Sequence, residues 1–149
     1  MLLRPTLFLA AALLAAPALA QPSETSLFDG AGQARAYITQ GPQRTIYLWG
    51  GLPVAYLLNE YGRDSVVGFN GRHLGWFDNG TVRDVQGNIV CATAARSNTT
   101  DVEPVKGQKV VPPVPNVPQQ GPVPPVFTLN WSQKNRCADY LRQGQNRSD

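Results

Sequence analysis

Few side chains in this sequence are of a type that does acid, base or metal chemistry, and those few are scattered. The only histidine is His73, and the carboxylates flanking it are Asp64, Asp78 and Asp84. An imidazole beside a carboxylate would make a general base poised near neutral pH. An exported hydrolase using His73 with a nearby Asp is therefore the alternative functional reading. Local sequence points these groups elsewhere. Asp64 and Asp78 fall in the turn sequences Tyr61-Gly62-Arg63-Asp64 and Asp78-Asn79-Gly80, where a carboxylate bonds its own backbone, and Asp84 is expected to pair with Arg83 or with an arginine of a neighbouring unit. No G-x-S-x-G elbow, H-E-x-x-H, P-loop or dinucleotide fingerprint occurs. One histidine and two cysteines, Cys91 and Cys137, are too few for a zinc site, and the run from Asp78 to Asn88 lacks the ligand spacing of a calcium loop. The expectation is no catalytic residue, no cofactor and no metal.

Ring faces offer a second kind of chemistry. Tyr37, Tyr56 and Trp76, together with Phe28, Trp49, Phe69 and Phe77, could stack on sugar rings or on proline side chains. Buried core is the competing role for aromatics at regularly spaced positions. A third possibility is that the chain's own proline-rich tail covers them, as proline ligands cover aromatic grooves. Tyr37, Tyr56, Trp76 and His73 are the candidate binding residues.

The elements that position these rings are legible from a repeat. Between Leu27 and Ala95 the units LFDGAGQARAYI, IYLWGGLPVAYL, VVGFNGRHLGWF and VRDVQGNIVCAT align on Gly32, Gly51, Gly71 and Gly87. Four positions later comes a small residue, Ala36, Ala55, Gly75 or Cys91, and then Tyr37, Tyr56, Trp76 or Ala92. A unit of this size cannot bury its own apolar face, so copies must pack together. Strand-forming residues flank each glycine, which predicts four β-hairpins. Asn70-Gly71 predicts a type I′ turn, and unit one has the longer loop Asp29-Gly30-Ala31-Gly32. Four similar hairpins joined by short turns predict a pseudo-fourfold ring. The small residues are expected where backbones converge on its axis, with the aromatics on the opposite face. Pro53 belongs at a strand start or on an unpaired edge. His73 fills the place of Ala34, Pro53 and Ile89, which suits a packed side chain.

Outside the repeat the chain has three further parts. Residues 1–20 read as a signal peptide: Arg4, an apolar run from Leu7 to Leu14, and Ala18-Leu19-Ala20 before Gln21. That run is too short to span a bilayer. Export to the periplasm or the extracellular space is expected, and there two cysteines predict one disulfide, Cys91 to Cys137. The full chain carries a formal charge of +3 without a basic stripe, which argues against nucleic acid. Residues 96–126 turn polar and then proline-rich, predicting a polyproline II strap. Val111, Val114 and Val117 recur every third residue, as do Val123, Val126 and Leu129. Each triplet lies along one face of such a helix, and Val111, Val114 and Val117 are expected to be at least half buried against the ring. Residues 127–143 predict a short helical segment, N-capped by Ser132, closed by Gly144, with Cys137, Tyr140 and Leu141 facing the body.

The four glycine-turn hairpins, the Ala-Tyr, Ala-Tyr and Gly-Trp pairs, the segment from Phe69 to Trp76, Arg83-Asp84 before Gly87, and the proline strap leading to Leu129-Asn130-Trp131-Ser132 together resemble the four-fold beta flower family. The likeness covers about Leu27 to Leu141. It implies an all-β ring of four hairpins with a proline-rich extension, and it implies no activity. Lys134-Asn135-Arg136-Cys137 departs from the more acidic and aromatic helix expected of that family. The functional expectation is an exported, non-catalytic structural or binding module, with a cell-envelope glycan or protein as the class of partner.

Overall fold

The computed structural model describes residues 15–17 and 23–146 of the 149. The leader expected over residues 1–20 lies, apart from residues 15–17, outside the described residues. Eight antiparallel strands follow in order: β1 (Glu24–Phe28), β2 (Ala34–Thr39), β3 (Arg44–Leu48), β4 (Pro53–Glu60), β5 (Arg63–Gly68), β6 (His73–Asp78), β7 (Thr81–Arg83) and β8 (Ile89–Ala92). Each pairs with the next and β8 pairs with β1 through Phe28 and Ala92, so the sheet closes into a barrel. Closure removes the free edges that a string of hairpins would otherwise expose. Among the described residues a 3-10 turn (Ala94–Arg96) and a short α-helix, α1 (Cys137–Arg142), follow the strands.

Four hairpins repeat one geometry down to the hydrogen bond. The amides of Gly32, Gly51, Gly71 and Gly87 donate to the carbonyls of Asp29, Leu48, Gly68 and Asp84, and those four residues donate back to Gln33, Leu52, Arg72 and Asn88. Register then slips by one residue at the same place in each pair: Leu27 faces Ala36 but Phe28 faces Ala34, Ile46 faces Ala55 but Tyr47 faces Pro53, and Val66 and Val82 repeat the pattern. One extra residue per hairpin, Arg35, Val54, Leu74 or Val90, makes a bulge, and four equivalent bulges bend four strands alike. Pro53 opens β4, as expected of a residue without an N–H.

Three local expectations are corrected. Unit one has the same loop length as the others. The repeat turn is not type I′, because Gly71 has φ of 86° while Asn70 is not among the positive-φ residues. Positive φ at two successive residues occurs instead in the links, at Tyr61-Gly62 (53° and 77°) and Asn79-Gly80 (47° and 77°). The smallness at Gly75 comes from a neighbouring strand and not from the axis: a Cβ there would run into the backbone carbonyl of Arg83 on β7.

The core is one continuous cluster inside the barrel. Leu27, Ile46, Val66 and Val82 are fully buried at equivalent positions, joined by Ala36, Ala55, Leu57, Leu74 and Val90. Each large aliphatic side chain so buried stabilises the fold by about 1.5–3 kcal/mol. Cys137, Tyr140 and Leu141 of α1 complete this cluster, and Cys91 and Cys137 form the expected disulfide with Cα atoms 5.1 Å apart. The helix starts later than its sequence suggested. Arg136 is the N-cap, and Ser132 instead accepts a bond from the Asn135 amide in the turn before it.

Candidate functional site

The barrel's outer wall carries the candidate rings, because side chains alternate along each strand. Tyr37 on β2 stacks on Tyr47 of β3 with ring centres 5.4 Å apart, and Trp49 meets Tyr37 edge-on at 5.9 Å. Tyr56 on β4 packs against Phe69 at 5.5 Å, and His73 meets Trp76 at 4.9 Å on β6. These are three separate clusters around the ring rather than one platform. Tyr37, Tyr56 and Trp76 are buried and His73 is half-buried. Burial pushes the Tyr37 hydroxyl up to about 12.

The residues that cover them come from the segment following Ala95. Its backbone visits each repeat turn in succession. The amides of Val102, Val110, Gln119 and Thr128 donate to the carbonyls of Gly32, Gly51, Gly71 and Gly87 at 2.8, 2.9, 2.8 and 3.1 Å. Thr100, Gln108, Val117 and Val126, two residues ahead of each donor, pass so close that a Cβ on the matching glycine would collide with their carbonyl oxygens. Glycine is thus required at these turns twice over, for positive φ and for the tail's approach. Side chains add to the backbone contacts. Lys106 lies 4.3 Å above the Tyr37 ring and 4.9 Å above Trp49, and its ammonium pairs with Glu24 at 2.6 Å. Burial raises the Glu24 carboxyl, but Lys106 and Lys109 outweigh that and hold it below its ordinary value. Trp49 Nε1 donates to the Pro104 carbonyl. Phe127 lies against Trp76 and is flanked by the guanidiniums of Arg63 and Arg83. Arg83 also donates to the Thr128 carbonyl.

The apolar stripe of the tail faces away from the ring. Val111, Val114 and Val117 are 85, 87 and 89% exposed, which overturns the expectation that they are at least half buried. The ring is gripped by backbone amides and by the half-buried Pro112, Pro113 and Pro115, and the intervening valines are left pointing to solvent.

His73 hydrogen-bonds neither Asp64 nor Asp84. Both imidazole nitrogens are closed off from solvent without a hydrogen-bond partner, beneath Gly121 of the tail. That desolvation lowers the pKa of His73, against an opposing pull from Glu60. Asp64 is held by Arg44 through two bonds of 2.8 and 2.6 Å and by Asn59, and the guanidinium keeps its carboxyl below the ordinary value. Asp84 is buried, with Oδ1 accepting the Gln86 and Asn88 amides and Oδ2 accepting from Asn135; it forms no pair with Arg83. Among the described residues, no three His, Cys, Asp or Glu side chains lie together as a metal site would need, and no helix is long and apolar enough to cross a membrane. Lys106, Arg83 and Phe127 were not legible as partners of the aromatic wall, since they sit many residues from the rings they touch.

The family model described as 4-fold beta flower protein matches residues 25–141, which takes in the barrel, the tail and most of α1. This chain belongs to the 4-fold beta flower family. No curated protein and no solved structure matches it. In this beta flower protein the four petals are the bulged hairpins, and the tail crosses the tip of each one.

Proposed function

We propose that this beta flower protein is an exported, non-catalytic structural and binding module. The observation that carries the reading is the state of His73. Its two nitrogens have no partner and no access to solvent, and two of the nearest carboxylates in sequence, Asp64 and Asp84, are held by other groups. A general base must reach the proton it takes, and this imidazole is covered by the chain's own tail. The Cys91–Cys137 disulfide and the leader-like first twenty residues support export, since such bonds persist in oxidising compartments.

The test has two arms. Alkylation of intact protein recovered from cell fractions is expected to find it outside the cytoplasm with no free thiol. A panel of ester, glycan and peptide substrates is expected to give the same background with wild type and with His73→Ala. Turnover lost specifically in His73→Ala would contradict the non-catalytic reading.

A further inference from the structure

A cleft of about 760 Å³ opens between the fourth hairpin turn and the segment from Leu129 to Asn135, away from the covered aromatic wall. We propose that it binds a neutral oligosaccharide, with Trp131 as the stacking surface. The proposal rests on the reading of the protein as a binding module and names its ligand class.

Trp131 is half-buried and held rigidly. Its neighbours form a parallel bridge with β8, in which Ile89 donates to Asn130 and Ser132 donates to Ile89, both at 2.8 Å. Gly30 of the first turn backs the indole, where an added Cβ would lie 3.5 Å from the ring. The indole stands between this cleft and a second one of about 440 Å³ beside α1, so it borders both. A flat apolar ring at the edge of a polar cleft suits the C–H face of a sugar, and it costs little side-chain entropy on binding.

Two amides in the same cleft are fixed with one end engaged and the other free. The Asn135 Nδ2 donates to Asp84 Oδ2 at 3.0 Å, and because an ionised carboxylate only accepts, the Asn135 carbonyl oxygen is the end that remains. The Asn88 Oδ1 accepts from the Thr128 hydroxyl at 2.9 Å, while that hydroxyl accepts from the Asn130 amide, so the Asn88 NH2 remains. Neither of these ends has a protein partner among the described residues. An acceptor and a donor are thereby presented by side chains whose positions are already set, the condition for affinity from few contacts. Sugar hydroxyls both donate and accept. Asp84, which orients Asn135, is buried and has both oxygens in use, leaving Lys134 as the sole uncommitted charge of the lining. A predominantly amide lining with an indole fits an uncharged polyhydroxy ligand better than an anion. Besides Trp131 the only apolar residue of the lining is Leu129, which is exposed, so an apolar peptide side chain finds little to pack against.

The test uses the oxidised full-length mature protein, titrated with maltohexaose, cellohexaose and hexa-N-acetylchitohexaose and followed by amide NMR and calorimetry. The expected result is that one of the three shifts the Trp131 indole N–H and the side-chain amides of Asn88 and Asn135. Affinity should fall about tenfold or more in Trp131→Ala and be largely kept in Trp131→Phe. Mapping on wild type needs no variant, so a variant that misfolds does not decide the outcome. The proposal is overturned if none of the three sugars moves those signals, if a sugar binds elsewhere, or if only a proline-rich control peptide moves them. Failure here without turnover leaves the non-catalytic reading standing. Hydrolysis of a bound sugar would instead overturn that reading and keep the site.

Discussion

His73 is an imidazole with no partner for either nitrogen, and its burial under Gly121 disfavours the charged form. A histidine whose folded pKa lies below its ordinary 6.5 stabilises the fold fully above that pH, where both states are neutral. As pH falls through 6.5 the unfolded chain takes up the proton first, and stability declines until the folded-state pKa is passed. Glu60 moderates this effect without reversing it. The melting temperature of wild type should therefore fall more steeply below pH 6.5 than that of His73→Phe, which keeps a ring against Trp76 and has nothing to protonate. Parallel melting curves for the two proteins would contradict the buried-imidazole account. His73 was legible as a packed residue from its place among Ala34, Pro53 and Ile89, and the register confirms the equivalence: these four face Val67, Phe28, Tyr47 and Arg83 next to the four bulges. Its cover was not legible, because Gly121 has no side chain to announce a contact.

The tail is the element whose chemistry the sequence misrepresents. Its valines recur every third residue and suggest an apolar seam, yet the seam faces water and the tail is held by main-chain groups that carry no sequence signature, with Lys106, Phe127 and the half-buried prolines adding side-chain contacts. Hairpins, by contrast, show in the sequence because turn glycines and alternating strand residues are local. Bulges do not show, since Val54, Leu74 and Val90 are aliphatic like the strand residues around them and Arg35 breaks even that pattern, so nothing in the residue types marks the extra position. The sequence places Trp131 only in the segment Leu129-Asn130-Trp131-Ser132 at the end of the strap; what makes it a candidate is a bridge to β8, some 40 residues earlier in the chain. The two views of the tail predict opposite outcomes for substitution. The triple change Val111→Ser, Val114→Ser and Val117→Ser should leave stability within about 0.5 kcal/mol per site, as exposed positions do. Val110→Pro and Gln119→Pro each delete an N–H that bonds a turn glycine, and each should cost about 1 kcal/mol or more. Urea unfolding of the four-protein set checks both, and destabilisation by the serine changes alone would restore the buried-seam view.

At the scale of the molecule, the ring, the tail and α1 form one closed circuit. The disulfide joins β8 to α1 across 46 residues, a loop that contains every point at which the tail meets a hairpin. Closing a loop of that length restricts the unfolded chain and stabilises the fold by about 4 kcal/mol. Replacing Cys91 and Cys137 together by alanine should lower stability by roughly that amount, read from urea unfolding. The loss should be larger than for any single tail substitution. The central claim is that this tail is a structural part of the flower, fastened to four equivalent hairpin tips by its backbone. Native-state hydrogen exchange on the oxidised protein tests it most directly. The account predicts slow exchange at the amides of Val102, Val110, Gln119 and Thr128, with fast exchange at the intervening Val105, Val111, Val114 and Val123. Uniformly fast exchange along the whole tail would contradict it.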